Sequence, residues 1–243
     1  MSSLTLGAVL RRAALAGLFA GVAAALVALL VVEPQIDKAL VIEETRSGAG
    51  AHEEPVFGRA TQVFGGMLAA VAVAVCLALV VGVVFARVRH RLPATTDFGR
   101  SALLALIGFT TVVLLPALKY PPNPPGVGDP DTVTERTVQY LTLIAAAVAV
   151  TWLAFLVHDR LAARPWPPAH RAALAVSVAA VGYIALLMTW PASPDSVPSD
   201  IPAALLWDFR LASLGELATL WTVLGLGFGL LLTPRTVAAP APA

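Results

Sequence analysis

The chain has 243 residues, of which 58% are hydrophobic and only 13% charged, with a mean hydropathy of +0.82 and a net charge of +1. A soluble domain would carry roughly twice that charge, and a balance so near neutrality gives no reason to expect a nucleic-acid partner. The single cysteine, Cys76, excludes a disulfide framework and a thiolate metal cluster.

The apolar content falls into six runs, each long enough to cross about 30 Å of hydrocarbon as a helix. The expected fold is therefore all-α, a polytopic membrane protein with six transmembrane helices packed as one bundle. A single membrane domain is expected over residues 1–236, followed by a flexible tail over 237–243. Barrel strands would alternate in polarity over about ten residues, and these runs do not.

The first predicted span, Ala13–Val32, follows Arg11-Arg12 and closes on Val-Val-Glu-Pro. It lacks a small-x-small site, so it is read as a retained helix, not a cleaved signal. The stretch beyond it is rich in ionisable groups. Glu33 and Asp37 are four apart and share a face if the helix continues past Pro34. Pro34 is tolerated there if it begins a new helical segment. Farther on come Glu43, Glu44, His52, Glu53 and Glu54, carboxylates and an imidazole that suit a divalent transition metal. The same composition also describes a solvated acidic loop.

The second span, Val63–Ala86, and the third, Ser101–Leu118, are followed by different punctuation. Pro116 interrupts the third about one turn before its end and frees carbonyls that protein, water or an ion must satisfy. Beyond it lie Lys119, Tyr120 and Asn123, with five prolines between Pro121 and Pro130. Prolines remove backbone donors and restrict the chain to extended and turn conformations. A stiff, shaped loop results, either the mouth of a pore with Asp129 and Asp131 at its edge or a rigid cap that only packs.

The fourth and fifth spans, Val138–Val157 and Ala172–Trp190, carry no Asp, Glu, Lys, Arg or His. The sixth, Leu211–Leu232, contains Glu216, a carboxylate that costs a few kcal/mol inside hydrocarbon and normally faces a partner or a water-filled cavity. Ser213 and Thr219 share its face, so Glu216 is a candidate ion or proton site, or one half of a structural pair. Met67 and Met188 are thioethers best read as packing. Gly17 with Gly21, and Gly225 with Gly229, have the spacing of close helix contacts. Trp166, Trp190 and Trp207 fall where interfacial anchors are expected.

Counting Lys and Arg on alternate sides gives 10 on the side of both termini and 6 on the other, while 12 acidic residues crowd that other side against 2. The basic bias predicts both termini inside. No GxxxxGK[ST], HExxH or GxSxG pattern occurs, so neither P-loop hydrolysis nor these catalytic classes are indicated, and the chain is read as no enzyme.

Three elements then resemble the CbtA family of predicted cobalt transporter subunits. They are Glu33-Pro34 closing helix 1, the stretch His52–Arg59, and the long LPALKYPPNPPGVGDPDTVTERTVQY from Leu115 to Tyr140, with DFRLASLGE at Asp208–Glu216 extending the likeness. The histidine-rich tract that many members carry after helix 1 is reduced here to His52 beside Glu53 and Glu54. The resemblance implies a subunit for cobalt uptake in a bacterial cytoplasmic membrane, working with a small single-span CbtB-like partner. Co²⁺ would be cargo, with no resident cofactor. Glu33, Asp37, His52, Glu53, Glu54, Asp129, Asp131 and Glu216 would handle the metal, and Pro116, Lys119, Tyr120 and Asn123 would form the pore or gate. The alternative is a non-transporting scaffold that presents the proline-rich loop to a partner.

Overall fold

The computed structural model describes residues 5–47 and 57–233. The protein is 83% helical and has no strand among the described residues. This follows from the solvent, because hydrocarbon offers no partner for an unpaired backbone group and only a helix satisfies all of its own.

The helices are α1 (Leu6–Val27), α2 (Glu33–Ser47), α3 (Arg59–Val88), α4 (Asp97–Phe109), α5 (Leu115–Lys119), α6 (Val133–Ala162), α7 (Pro168–Thr189) and α8 (Ala203–Leu232). Six continuous helical stretches are long and apolar enough to cross a membrane: Leu6–Arg46, Arg59–Arg91, Asp97–Lys119, Pro130–Ala162, Pro168–Thr189 and Ala203–Leu232. These match the six expected spans, but most run well beyond the apolar runs.

The largest difference is at the end of the first span, where residues 33–47 are helical and not a loop. Pro34 and Pro116 explain how. Each is preceded by a wide π turn, Ala28–Val32 in one case and Thr110–Leu114 in the other. A proline lacks the N–H for the i−4 carbonyl, and its ring crowds that carbonyl. The π turn opens the helix just upstream, with Glu33 N–H reaching Ala28 and Leu115 N–H reaching Thr110. The chain thereby passes both prolines without ending its helix.

The chain divides into two compact units. Unit 1 comprises residues 1–25, 66–106 and 219–243, and unit 2 comprises residues 26–65 and 107–218. Unit 1 is built on small residues. A Cβ at Gly17 would stand 2.5 Å from the Ala78 Cβ and 2.9 Å from the Ala74 carbonyl. One at Gly21 would meet Val71 at 2.7 Å, and one at Gly225 would collide with Ala105. Both glycine pairs therefore lie on packing faces. Phe85 and Phe228 meet edge to face at 5.2 Å, and the Ser101 hydroxyl donates to the Gly225 carbonyl at 2.7 Å. Without a hydrophobic drive in lipid, such close packing and buried hydrogen bonds hold helices together.

Gly17→Ala should therefore lower the thermal midpoint in detergent, costing about 1–3 kcal/mol because backbone atoms of α3 must retreat. Gly65→Ala, where nothing lies within 4 Å, is the control and should hold or raise it.

Candidate functional site

Unit 2 carries most of the ionisable residues singled out above. Its base is a small apolar cluster of Val32, Phe209 and Ala212, with Ile36 packed against it. That cluster joins the π turn and α2 to the first half of α8. It brings Glu33, at the head of α2, within Coulombic range of Glu216 on α8. Glu216 forms no hydrogen bond or ion pair among the described residues.

Glu33 and Asp37 share a face of α2, as their spacing requires once the helix continues. Both meet one guanidinium. Arg59, the first residue of α3, donates through Nη2 to Glu33 and to Asp37 Oδ1, the latter at 3.0 Å, and through Nε to Asp37 at 3.2 Å. Exposure is graded along this group. The Asp37 side chain is 64% exposed, Arg59 38% and Glu33 21%. His52, Glu53 and Glu54, and the tail 237–243, lie outside the described residues. No group of three or more His, Cys, Asp or Glu is assembled to hold a metal among the described residues.

The proline-rich loop is tied down at several points. Arg46, near the end of α2, makes a two-pronged contact with Asp200, 2.9 Å from each oxygen, and donates to the Gly126 carbonyl at 2.9 Å. Arg210 Nη2 donates to Asn123 Oδ1 at 2.9 Å. Lys119 donates to the Leu187 carbonyl at 3.0 Å and the Tyr120 hydroxyl to the Pro191 carbonyl at 2.8 Å. Pro116 and Pro124 are among the fully buried side chains. Asp129 uses its carboxylate to accept the Asp131 N–H at 2.9 Å, which starts a turn of 3-10 helix, and Asp131 itself is exposed. Lys119, Tyr120 and Asn123 are thus all engaged in tethers.

The centre of this cap is Asp195, whose side chain is only 4% exposed. Arg136 pairs with it at 2.8 Å, the Thr132 hydroxyl donates at 2.5 Å and the Asp129 N–H at 3.3 Å. Burial opposes its ionisation, but the Thr132 and Asp129 hydrogen bonds and the Arg136 charge outweigh this and hold its carboxyl below the usual range. A pocket of about 530 Å³ lies alongside, lined by Tyr120, Asn123, Arg136, Tyr140, Asp195 and Arg210 among others.

The sign of the pH dependence follows. A depressed carboxylate contributes stability that is full above its unfolded pKa, about 3.9, and is lost as pH falls through the lower folded value. The drop in thermal midpoint between pH 5 and pH 3 should therefore be larger for the wild type than for Asp195→Asn. Equal drops would show that the Asp195 charge does not hold the cap.

Sequence reasoning did not single out Arg46, Arg136, Asp195 or Asp200 as site residues, and it met Arg59 only as the end of the His52–Arg59 stretch. It also missed three hydroxyls inside unit 2. Thr111, in the second π turn, lies 3.0 Å from the Thr151 hydroxyl and 2.9 Å from that of Tyr183, and these two are 2.5 Å apart. Thr111 is buried, so the three satisfy one another across three spans. Polar residues in a span that face protein instead of lipid are the signal that points to such a group.

No curated protein and no solved structure matches the chain. A family model described as probable cobalt transporter subunit (CbtA) matches residues 6–233, nearly the whole length, and the chain accordingly belongs to the CbtA family, a multi-pass membrane protein and probable cobalt transporter subunit.

Proposed function

We propose that this chain is the ion-conducting subunit of a divalent-cation uptake system in a bacterial cytoplasmic membrane, with Co²⁺ as cargo. The observation that carries this reading is that the α2–α8 junction brings Glu33, which shares Arg59 with Asp37, within Coulombic range of Glu216. Carboxylate oxygens hold divalent cations in general, the choice of Co²⁺ comes from the family, and exposure falls from Asp37 to Glu33 along the group.

The basic-residue bias, 10 against 6, sets the termini in the cytoplasm and the capped end outside. His52, Glu53 and Glu54 would then raise the local metal concentration at the outer face, with Asp129 and Asp131 at the cap's edge. Lys119, Tyr120, Asn123 and Pro116 hold the cap in shape around the mouth. An inside-negative potential of 100 mV supplies about 4.6 kcal/mol per divalent ion, so inward movement needs no ATP. A small single-span CbtB-like subunit is the expected partner. No catalytic step is assigned to the chain.

The arginine clasps on the proline-rich loop favour a second reading, a non-transporting scaffold whose rigid cap is presented to a partner. Accumulation of radiolabelled cobalt by cells with and without the chain separates the two. Equal accumulation at micromolar cobalt, with the protein shown to be in the membrane, rules out transport by this chain alone.

A further inference from the structure

We propose that Arg59 is a tethered counter-cation that holds the Glu33–Asp37 carboxylate pair closed until a divalent cation displaces it. The inference rests on the transport reading above and adds a regulator to it.

Three observations carry it. First, one guanidinium bridges two carboxylates that come from a different helix, with Nη2 shared between them and Nε on Asp37. A cation already sits between the two groups that a divalent ion would use. Second, two carboxylates share a single guanidinium. Glu33, Asp37 and Arg59 sum to one negative charge, and Glu216, in Coulombic range of Glu33, adds another. A divalent cation in place of Arg59 would match the formal charge of the Glu33–Asp37 pair. Third, Arg59 is the first residue of α3, whose first turn holds no acidic residue. A positive charge at a helix N-terminus opposes the helix dipole. The helix gains nothing from Arg59 there, so the carboxylate pair is what holds it.

Arginine does not lose its proton in a protein, so it leaves this position by moving and not by neutralising. Its partial exposure, 38%, leaves it in water-like surroundings, where ion pairs are weak and screened. A divalent ion competes well against such a pair, and once the ion moves on Arg59 returns. The return expels the ion from the pair and prevents it from being held too tightly to pass.

The test uses the full-length protein reconstituted in lipid vesicles and titrated with Co²⁺ alone, beside cobalt uptake by the same vesicles. Arg59→Gln is expected to lower the half-saturating cobalt concentration for binding and uptake about tenfold, a usual size for coupling between competing ligands, and to lower the maximal uptake rate. Arg59→Lys, which keeps the charge but cannot bridge two carboxylates, should shift both in the same direction by less. Glu33→Gln added to Arg59→Gln should undo the tightening. An unchanged half-saturation in Arg59→Gln, with only its amount or thermal midpoint reduced, would overturn the proposal and leave Arg59 a strap between helices. If Arg59→Gln does not fold, an unchanged half-saturation in Arg59→Lys overturns it equally. Wild-type vesicles that take up no cobalt would defeat the transport reading instead. In that case the binding titration alone decides the role of Arg59.

Discussion

Glu216→Gln is expected to cut cobalt uptake by at least about tenfold while the protein still folds and reaches the membrane. The substitution keeps the shape and hydrogen-bonding reach of the side chain and removes only its ability to carry charge. A tenfold loss corresponds to about 1.4 kcal/mol, well within what a directly coordinating carboxylate contributes to holding a divalent ion in a low-dielectric span. Stability should move the other way. Glu216 has no hydrogen-bond or ion-pair partner among the described residues and lies within reach of the Glu33 charge. Removing an intramembrane charge of that kind relieves an insertion cost and a repulsion. The thermal midpoint should therefore hold or rise. The combination of lost uptake and retained stability distinguishes an ion site from a structural carboxylate, whose loss would lower both. Uptake that survives the change takes Glu216 off the path and favours the scaffold reading.

The architecture was legible because the bilayer enforces it. Long apolar runs have one viable conformation in hydrocarbon, so composition and length alone give six helices. The glycine spacings in α1 and α8 were legible for a similar reason, since only small residues let backbones approach as Gly17 approaches Ala78. The helix ends were not. Hydropathy marks where a helix leaves the hydrocarbon, whereas α2 continues as a polar helix in which Glu33, Asp37 and Arg46 each find partners. Pro34 fits either a helix end or the start of a new helical segment, and the π turn that lets the helix pass it leaves no mark beyond the proline itself.

The ion pairs were illegible on combinatorial grounds. Arg59 reaches 26 residues back to Glu33, and Arg46 reaches 154 residues forward to Asp200. Six basic and twelve acidic residues share that side of the charge count, and one sequence does not say which meet. The acidic character was visible, but its partial neutralisation by arginine was not. That changes the chemistry from an open acidic funnel to a set of clasped carboxylates, and Glu33 of the pair on Arg59 lies within Coulombic range of Glu216.

The cap itself should fail at one atom. Gly128→Ala is expected to cost about 2–4 kcal/mol, read as a fall in the thermal midpoint and as new protease cleavage between residues 120 and 132. Gly128 has φ +118°, a conformation that side-chain-bearing residues rarely adopt. Its added Cβ would stand 2.5 Å from Arg136 Nη1 and 3.2 Å from Asp195 Oδ2. The tip of Arg136 must therefore shift, which loosens its contact with Asp195, while the backbone itself is strained. Such a backbone conformation costs a side-chain-bearing residue about 1–3 kcal/mol, and loosening a pair whose arginine is partly exposed adds up to about 1 kcal/mol. Gly126→Ala is the matched control. There φ is +74° and the new Cβ would meet the Glu43 side chain only at ordinary contact, 3.5 Å, so the cost should be about 1–2 kcal/mol of backbone strain. Asp195→Asn combined with Gly128→Ala should cost less than the sum of the two, because both act on one ion pair. If Gly128→Ala costs no more than Gly126→Ala, the Arg136–Asp195 pair does not hold the cap, and its stiffness must come from the prolines.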